Sequence, residues 1–216
     1  SLPGPSLNLF PNTRGGRVLA DKQVRLAVQK AIDRTSYAST VYNAEFAVVD
    51  GIFDVTTPYF KSQGAKLAYD PAGAEHLLDS AGWTTGADGY RQKDGKRLSL
   101  TYNVMQAETA GDVLLQDQLR KVGIEVKLSV VTRAEWVANN SAGNYDLTIS
   151  YMTRADPIIL QTILDPRTAN SSTVATNIFE PHVLERAKGL FDAGITATQS
   201  AQRATAYGDL QDLLID

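Results

Sequence analysis

The most chemically suggestive residues form one short segment, Tyr151-Met152-Thr153-Arg154-Ala155-Asp156-Pro157, in which polar groups follow an apolar stretch. Pro157 disfavours helical backbone at the residue before it, so we expect a turn there. The planar guanidinium of Arg154 suits a carboxylate or a phosphate, because its fork of donors matches two oxygens. Arg154 could instead lie on the surface or pair with Asp156, which we expect to brace the turn. The segment therefore predicts either an anion-binding turn or a structural one.

Patterns typical of catalysis and metal binding are missing from the sequence. It contains no nucleophile elbow, no His-Glu-x-x-His and no phosphate-binding loop, and Gly15-Gly16 is too short to hold a phosphate. His76 and His182 are the only histidines, and nothing in their spacing brings them together around a metal ion. The absence of cysteine excludes disulfides and thiolate sites. We therefore predict a protein that is not an enzyme, with no cofactor and no metal site.

Composition limits the remaining classes of function. The 216 residues are 43% hydrophobic and 21% charged, which suits a globular domain large enough for a real core. A formal net charge of -3 gives no field that would hold a polyanion, so nucleic acid is not an expected partner. No stretch approaches the roughly 20 apolar residues that a membrane span requires.

Two periodicities alternate along the chain and predict the elements that position the polar segment. Asp21 is a candidate N-cap for the helical spacing that begins at Val24, and Asp33 could cap a second short helix through Tyr37 to Val41. Asp70-Pro71 is a helix-start signal, residues 109–122 are helical, and Thr132-Arg133-Ala134-Glu135 is a capping box that opens a short helix. Two closing helices run from Pro181 and from about residue 199. Strict alternation predicts three strands, which start at Leu98, Ile124 and Leu147. This order of strands and helices indicates an α/β layered domain.

The first of these strands contains a second candidate residue near its end. Tyr102 lies on the apolar face and is expected in the core, whereas Asn103 points the other way. Asn103 is therefore expected either to be exposed to solvent or to line a ligand cleft. Trp83 and Trp136 follow helix boundaries and are expected to anchor packing rather than to stack on a ligand.

Several stretches resemble one family when they are taken in order. They are Asp21-Lys22-Gln23-Val24-Arg25-Leu26-Ala27 with Ala31-Ile32-Asp33-Arg34, Tyr69-Asp70-Pro71 with Ala81-Gly82-Trp83, Asp88-Gly89 with Asp94-Gly95-Lys96, Leu119 with Lys121-Val122-Gly123-Ile124, and Asp156-Pro157. Each is a packing or turn signature and is weak alone, but together they cover roughly residues 20–215. In this order they resemble the family 5 solute-binding proteins of ABC transporters, which include oligopeptide-, dipeptide- and nickel-binding proteins.

The resemblance implies a fold, a location and partners. It implies a type II periplasmic-binding-protein-like lobe, with a mixed sheet flanked by helices, and residues 1–216 forming the second lobe of a two-lobed protein. The first residues, Ser1-Leu2-Pro3, lack an initiator Met, and helical spacing continues to Asp216, so we expect a piece of a longer chain. The implied partners are a small-molecule or peptide solute, the first lobe and ABC permease subunits. The implied location is outside the cytoplasm, either in the periplasm or as a cell-surface lipoprotein.

The resemblance also implies where the solute binds. Peptide-binding members often carry an Asp four residues before the Pro, where it pairs with the ammonium group of the peptide. Here that position is Thr153, and Arg154 follows it, which favours an anionic or amphoteric solute over a plain peptide. The predicted ligand-binding residues are Met152, Thr153, Arg154, Asp156 and Asn103. The alternative is a receptor-like or interaction module that uses the same lobe without a role in transport.

Overall fold

A computed structural model describes residues 6–42, 48–152, 156–168 and 175–216 of the chain. The helices are α1 (Lys22–Ala31), α2 (Arg34–Val41), α3 (Gly64–Leu67), α4 (Pro71–Ser80), α5 (Ala110–Lys121), α6 (Arg133–Ala142), α7 (Ile159–Leu164), α8 (Pro181–Thr196) and α9 (Ser200–Ile215). The strands are β1 (Ser6–Pro11), β2 (Thr84–Thr85), β3 (Arg91–Lys93), β4 (Lys96–Arg97), β5 (Ser99–Met105), β6 (Glu125–Val131) and β7 (Leu147–Met152). The predicted α/β class is confirmed.

The chain divides into two compact units. Unit 1 comprises Ser1–Phe10, Val49–Lys66 and Ile149–Asp216, and unit 2 comprises Pro11–Val48 and Leu67–Thr148. The larger sheet has the strand order β1-β7-β5-β6, and β2, β3 and β4 form a small antiparallel sheet. None of the helices among the described residues combines the length and the apolar character that crossing a bilayer requires.

The core of unit 2 is built on the parallel strands β5 and β6. Ser99 pairs with Glu125 and Met105 with Val131, and Tyr102 is also in register with Leu147 of β7. Because side chains alternate along a strand, Leu100, Tyr102 and Val104 share one face, and all three are buried. The expectation that Tyr102 belongs to the core is confirmed. Helix α5 packs against β6, and α1 packs against α4.

Polar side chains define where the helices of unit 2 begin. The side chains of Asp21, Asp33 and Asp70 accept hydrogen bonds from backbone N–H groups in the first turns of α1, α2 and α4, which satisfies donors that have no partner within the helix. Thr109 and Thr132 form reciprocal capping boxes at α5 and α6. The predicted helix starts at Asp21, Asp33, Asp70 and Thr132 are therefore confirmed.

Unit 1 contains the paired helices α8 and α9, which pack against each other. Their buried residues include Ala187, Phe191, Tyr207 and Leu210. The irregular segment before α3 closes on itself, because the N–H of Gln63 donates to the carbonyl of Asp50 at 2.6 Å. Its residues 50–63 therefore form a compact loop whose two ends are hydrogen-bonded.

Several details differ from the sequence-based expectations. Helices α3 and α7 and strand β2 were not anticipated, because short elements give too few residues for a period to emerge. Trp83 is 9% exposed and is an anchor as expected, but Trp136 is only half-buried.

Candidate functional site

The predicted ligand segment follows β7, whose last residue is Met152. Thr153 and Arg154 lie outside the described residues. Asp156 is exposed and organises the turn before α7: its carboxylate accepts a hydrogen bond from the N–H of Ile158 at 3.0 Å, and its carbonyl accepts one from Ile159 at 3.2 Å. The expected bracing role of Asp156 is confirmed, and it holds the backbone that follows the segment in one conformation.

Asn103 occupies the middle of β5 and is 1% exposed. Its side-chain amide donates to the carbonyl of Asn144 at 3.4 Å, in the connection between α6 and β7. The expectation that Asn103 might face solvent is wrong, because the chain before β7 returns along this face of the strand. Its contribution to ligand binding stays a prediction.

A cluster of Tyr59, Tyr207 and Arg203 was missed by sequence reasoning. The rings of Tyr59 and Tyr207 stack with centroids 5.8 Å apart and 14° between their planes. The guanidinium carbon of Arg203 is 5.9 Å from each centroid, and Arg203 Nε donates to the carbonyl of Gly194 at 3.1 Å. The spacing of Tyr207 in α9 predicted burial, but no sequence signal links it to Tyr59.

Electrostatics connect this cluster to the turn at Asp156. Burial raises the pKa of Tyr207, and the negative charge of Asp156 acts in the same direction, while the charge of Arg203 opposes both. The hydroxyl of Tyr207 is fully buried. Tyr207 therefore stays uncharged at neutral pH.

The carboxyl end of β5 presents a further pair of exposed residues. Met105 is 46% exposed, although it closes a strand whose other apolar side chains are buried. Gln106 is also exposed, and its φ of 72° places it in a backbone region that residues with a Cβ rarely adopt. The alternating pattern had ended at Val104, and only Gly or Asn at this position would have signalled a positive φ.

The cavities and the histidines lie away from the predicted ligand segment in sequence. Two shallow cavities of about 200 and 330 Å³ in unit 2 share Tyr90 and Arg120. Within the described ranges, no three His, Cys, Asp or Glu side chains converge as a metal site would require. His76 is exposed, and His182 lies 3.8 Å from Glu180 on the surface.

Comparison with known proteins identifies a family that this chain matches. Residues 3–171 match the family described as bacterial extracellular solute-binding proteins, family 5 middle. Protein XP55 of Streptomyces lividans is 28% identical over 209 residues, which cover 93% of this chain and 36% of XP55. The oligopeptide-binding protein AppA of Bacillus subtilis is 32% identical over 145 residues, covering 61% of this chain and 25% of AppA.

The fold of this chain is also similar to that of a solved structure. The crystal structure of NikA from Brucella suis in complex with Fe(III)-EDTA superposes with a TM-score of 0.81 and 26% sequence identity. The match covers 99% of this chain but 45% of NikA. The chain thus spans less than half the length of these relatives.

Proposed function

The chain belongs to the bacterial extracellular solute-binding proteins of family 5, and we propose that it is one lobe of a protein that captures a small solute for import by an ABC transporter. Several relatives, among them AppA, are named as oligopeptide-binding proteins, and the expectation that the chain is not an enzyme is confirmed by them. Residues 1–216 would form the second lobe, with a first lobe and permease subunits as partners. The protein would act outside the cytoplasm.

The observation that carries the proposal is the family match over 169 consecutive positions, from residue 3 to residue 171, because it includes β7 and the turn at Asp156. A parallel strand that ends in a fixed turn can present side chains to a ligand, since ligands of open α/β sheets bind beyond the carboxyl ends of strands. Residues Met152, Thr153, Arg154 and Asp156, with Asn103 from β5, are the proposed ligand-binding set. The two-lobed arrangement would bury the solute when the lobes close.

The proposed solute is peptide-like or a small anionic or amphoteric molecule. Arg154 would bind its carboxylate through two parallel hydrogen bonds. AppA is named as an oligopeptide-binding protein, and NikA was crystallised with Fe(III)-EDTA, a metal chelate rich in carboxylates. Both classes of solute offer the anionic group that the arginine requires.

Calorimetry on the full-length protein that carries this chain tests the proposal. The probes are a synthetic nonapeptide, the tripeptide Ala-Ala-Ala and Fe(III)-EDTA, and we expect at least one to bind. Arg154→Ala should weaken that binding by about 1–3 kcal/mol, because a charge-assisted hydrogen bond is lost. Arg133→Ala, which removes an exposed arginine at the start of α6, is the control and should leave affinity unchanged.

Two results would contradict different parts of this picture. If none of the three probes binds the full-length protein, solute capture of this class is wrong. If a probe binds and Arg154→Ala binds it equally well, Arg154 lies outside the ligand site.

A further inference from the structure

Three Asp-Gly pairs, Asp50-Gly51, Asp88-Gly89 and Asp94-Gly95, have no part in the proposed ligand site. Such pairs share one reaction, in which the side-chain carboxyl combines with the backbone nitrogen of the following residue. Glycine favours this reaction, because no Cβ hinders the approach of the two groups and the backbone rotates freely. The three pairs are chemically alike, so the structure around each pair decides how fast it reacts.

The reaction rearranges the backbone and leaves the mass of the protein unchanged. The nitrogen of Gly attacks Cγ of the protonated Asp carboxyl, an N–Cγ bond forms, and the carboxyl OH leaves with the amide proton as water. Water then opens the resulting five-membered imide. Cleavage of the N–Cγ bond restores Asp, whereas cleavage between the nitrogen and the main-chain carbonyl carbon gives an isoaspartyl residue, in which the chain runs through Cβ and Cγ. Because water is the only co-reactant, the rate depends on how freely the carboxyl and the amide meet.

Asp94-Gly95 forms the whole of the two-residue turn between β3 and β4, since Lys93 pairs with Lys96. Both residues of the turn are exposed, and their φ angles of 51° and 72° are positive, as such turns require. Among the residues that the structure describes, no hydrogen bond holds the Asp94 carboxyl or the N–H of Gly95. A Cβ at Gly95 would meet nothing within 4 Å, so the neighbouring atoms leave room for the ring to close.

Asp88-Gly89 lies in the turn between β2 and β3, and hydrogen bonds hold both of its reacting groups. The Asp88 carboxylate accepts one from the N–H of Tyr90 at 3.1 Å and another from the Arg97 guanidinium. The N–H of Gly89 donates to the carbonyl of Gly86 at 3.0 Å, so the attacking nitrogen is engaged as well. The bond from Tyr90 and the charge of Arg97 also lower the pKa of Asp88, which makes the reactive protonated form scarcer.

Asp50-Gly51 is restrained by the compact loop that it begins. The Asp50 carboxylate accepts a hydrogen bond from the hydroxyl of Ser62. A Cβ at Gly51 would lie 2.8 Å from the ring of Phe60 and 2.9 Å from the carbonyl oxygen of Lys61, so the backbone of Gly51 has little room to rotate. Ring closure at this pair therefore requires the loop to open.

We propose that Asp94-Gly95 is a site of spontaneous isoaspartate formation in the folded protein, while the contacts of Asp88 and Asp50 protect the other two pairs. The product adds one carbon to the backbone of a two-residue turn, so it disturbs the pairing of Lys93 with Lys96 that fixes the register of β3 and β4. The modification does not involve the solute, and it is independent of the proposed function.

Ageing of the full-length protein that carries this chain tests the proposal. After several weeks at neutral pH and 37 °C, peptide mapping with electron-transfer fragmentation measures the isoaspartyl fraction at each pair. We expect about tenfold more at Asp94 than at Asp88, because Asp88 and Gly89 must first leave their hydrogen bonds. The same ageing in guanidinium chloride is the control, and there the three pairs should react at similar rates because these contacts are lost.

Substitutions on β4 test the protection of Asp88. Arg97→Ala removes the guanidinium from Asp88, so the isoaspartyl fraction there should rise about fivefold while the fraction at Asp94 is unchanged. Lys96→Ala, which shortens another exposed side chain of β4, is the control and should leave the fraction at Asp88 unchanged. Asp94→Glu lengthens the side chain by one methylene, so the five-membered ring cannot form and the isoaspartyl signal at this position should disappear.

The outcomes separate the effect of structure from that of the Asp-Gly sequence. The highest isoaspartyl fraction at Asp94 in the folded protein, with the difference lost in guanidinium chloride, supports the proposal. Equal fractions at the three pairs in the folded protein overturn it, as does an aged protein with no isoaspartate at Asp94. If Asp88 reacts as slowly in Arg97→Ala as in the wild type, the protective role of this ion pair is wrong.

Discussion

Two arginines, one in each compact unit of the chain, make different kinds of polar interaction. In unit 2 the side chain of Arg91 is 5% exposed and donates to the carbonyls of Val122 at 3.0 Å and Trp83 at 2.7 Å, besides pairing with Asp79 at 2.5 Å. In unit 1 the side chain of Arg167 is 41% exposed and pairs with the carboxylates of Asp165 and Asp192, each at 2.8 Å. Arg91 thus donates mostly to backbone carbonyls, whereas Arg167 donates mostly to side-chain carboxylates.

Further contacts in the two units differ in the same way. In unit 2 the side chain of Asn12, which is fully buried, donates to the carbonyls of Gly143 and Tyr145, both at 2.9 Å. In unit 1 Tyr59 and Tyr207 meet by stacking, and Lys61 pairs with Asp212 at 2.6 Å with both side chains partly exposed. Buried donors on backbone carbonyls are costly to remove because the carbonyls lose their partners, whereas exposed ion pairs contribute little.

The largest expected effect tests the buried donors of unit 2. Arg91→Ala should lower the free energy of unfolding by about 3 kcal/mol, because two carbonyls lose their donor in a place that excludes water. Arg97→Ala removes an arginine of the same hairpin that is 43% exposed and should cost less than about 1 kcal/mol. Urea denaturation of both variants measures the difference, and equal losses would remove the contrast between the two kinds of arginine.

An intermediate effect tests ring packing in unit 1 through two glycines of α8. A Cβ at Gly194 would lie 3.0 Å from the Tyr207 ring, whereas a Cβ at Gly189 would meet nothing within 4 Å. Gly189→Ala should stabilise the protein by about 1 kcal/mol through helix propensity. Gly194→Ala should destabilise it by about 1 kcal/mol, because overpacking outweighs the same gain.

Thermal melts of the two alanine variants measure this contrast. If both variants are stabilised alike, the Tyr207 ring moves aside at no cost. Packing around the stacked tyrosines would then be looser than the contacts of unit 2.

The smallest expected effect concerns pH and the ion pairs of unit 1. Burial opposes ionisation of Asp165, but hydrogen bonds from Arg167 outweigh it and lower the pKa of Asp165 below its usual value. A carboxyl group with a lower pKa in the folded state stabilises the protein above its unfolded pKa of about 3.9, and that stabilisation is lost as the pH falls through the folded value.

Asp165→Asn should therefore cost about 1 kcal/mol at pH 7, because the buried carboxylate loses charge-assisted hydrogen bonds while the partly exposed Arg167 keeps its pair with Asp192, and the difference from wild type should shrink as the pH falls below 4. Urea denaturation of the wild type and of Asp165→Asn from pH 7 to pH 2.5 measures this difference in the free energy of unfolding. A difference that stays constant over this range would show that the charge of Asp165 contributes nothing to stability.

The proposed ligand residues show how far local patterns reach. Asp156 was placed correctly, because a turn with an Asp before a Pro is determined by neighbouring residues. Asn103 could only be assigned to a face of its strand, since the alternation of side chains does not say what covers that face. The segment that covers this face contains Asn144, which is 41 residues from Asn103 in the sequence, and no local rule relates the two positions.

The sequence by itself determined the α/β class, the helix starts at Asp21, Asp33, Asp70 and Thr132, and the buried face of β5, because capping and periodicity act within a few residues. Only the tertiary structure decided that Asn103 is covered, that Tyr59 stacks on Tyr207, and that Gln106 ends its strand in a strained turn. These features depend on segments that are distant in the chain and are brought together by burial of the core. Their energies belong to the packed fold and not to any local stretch of residues.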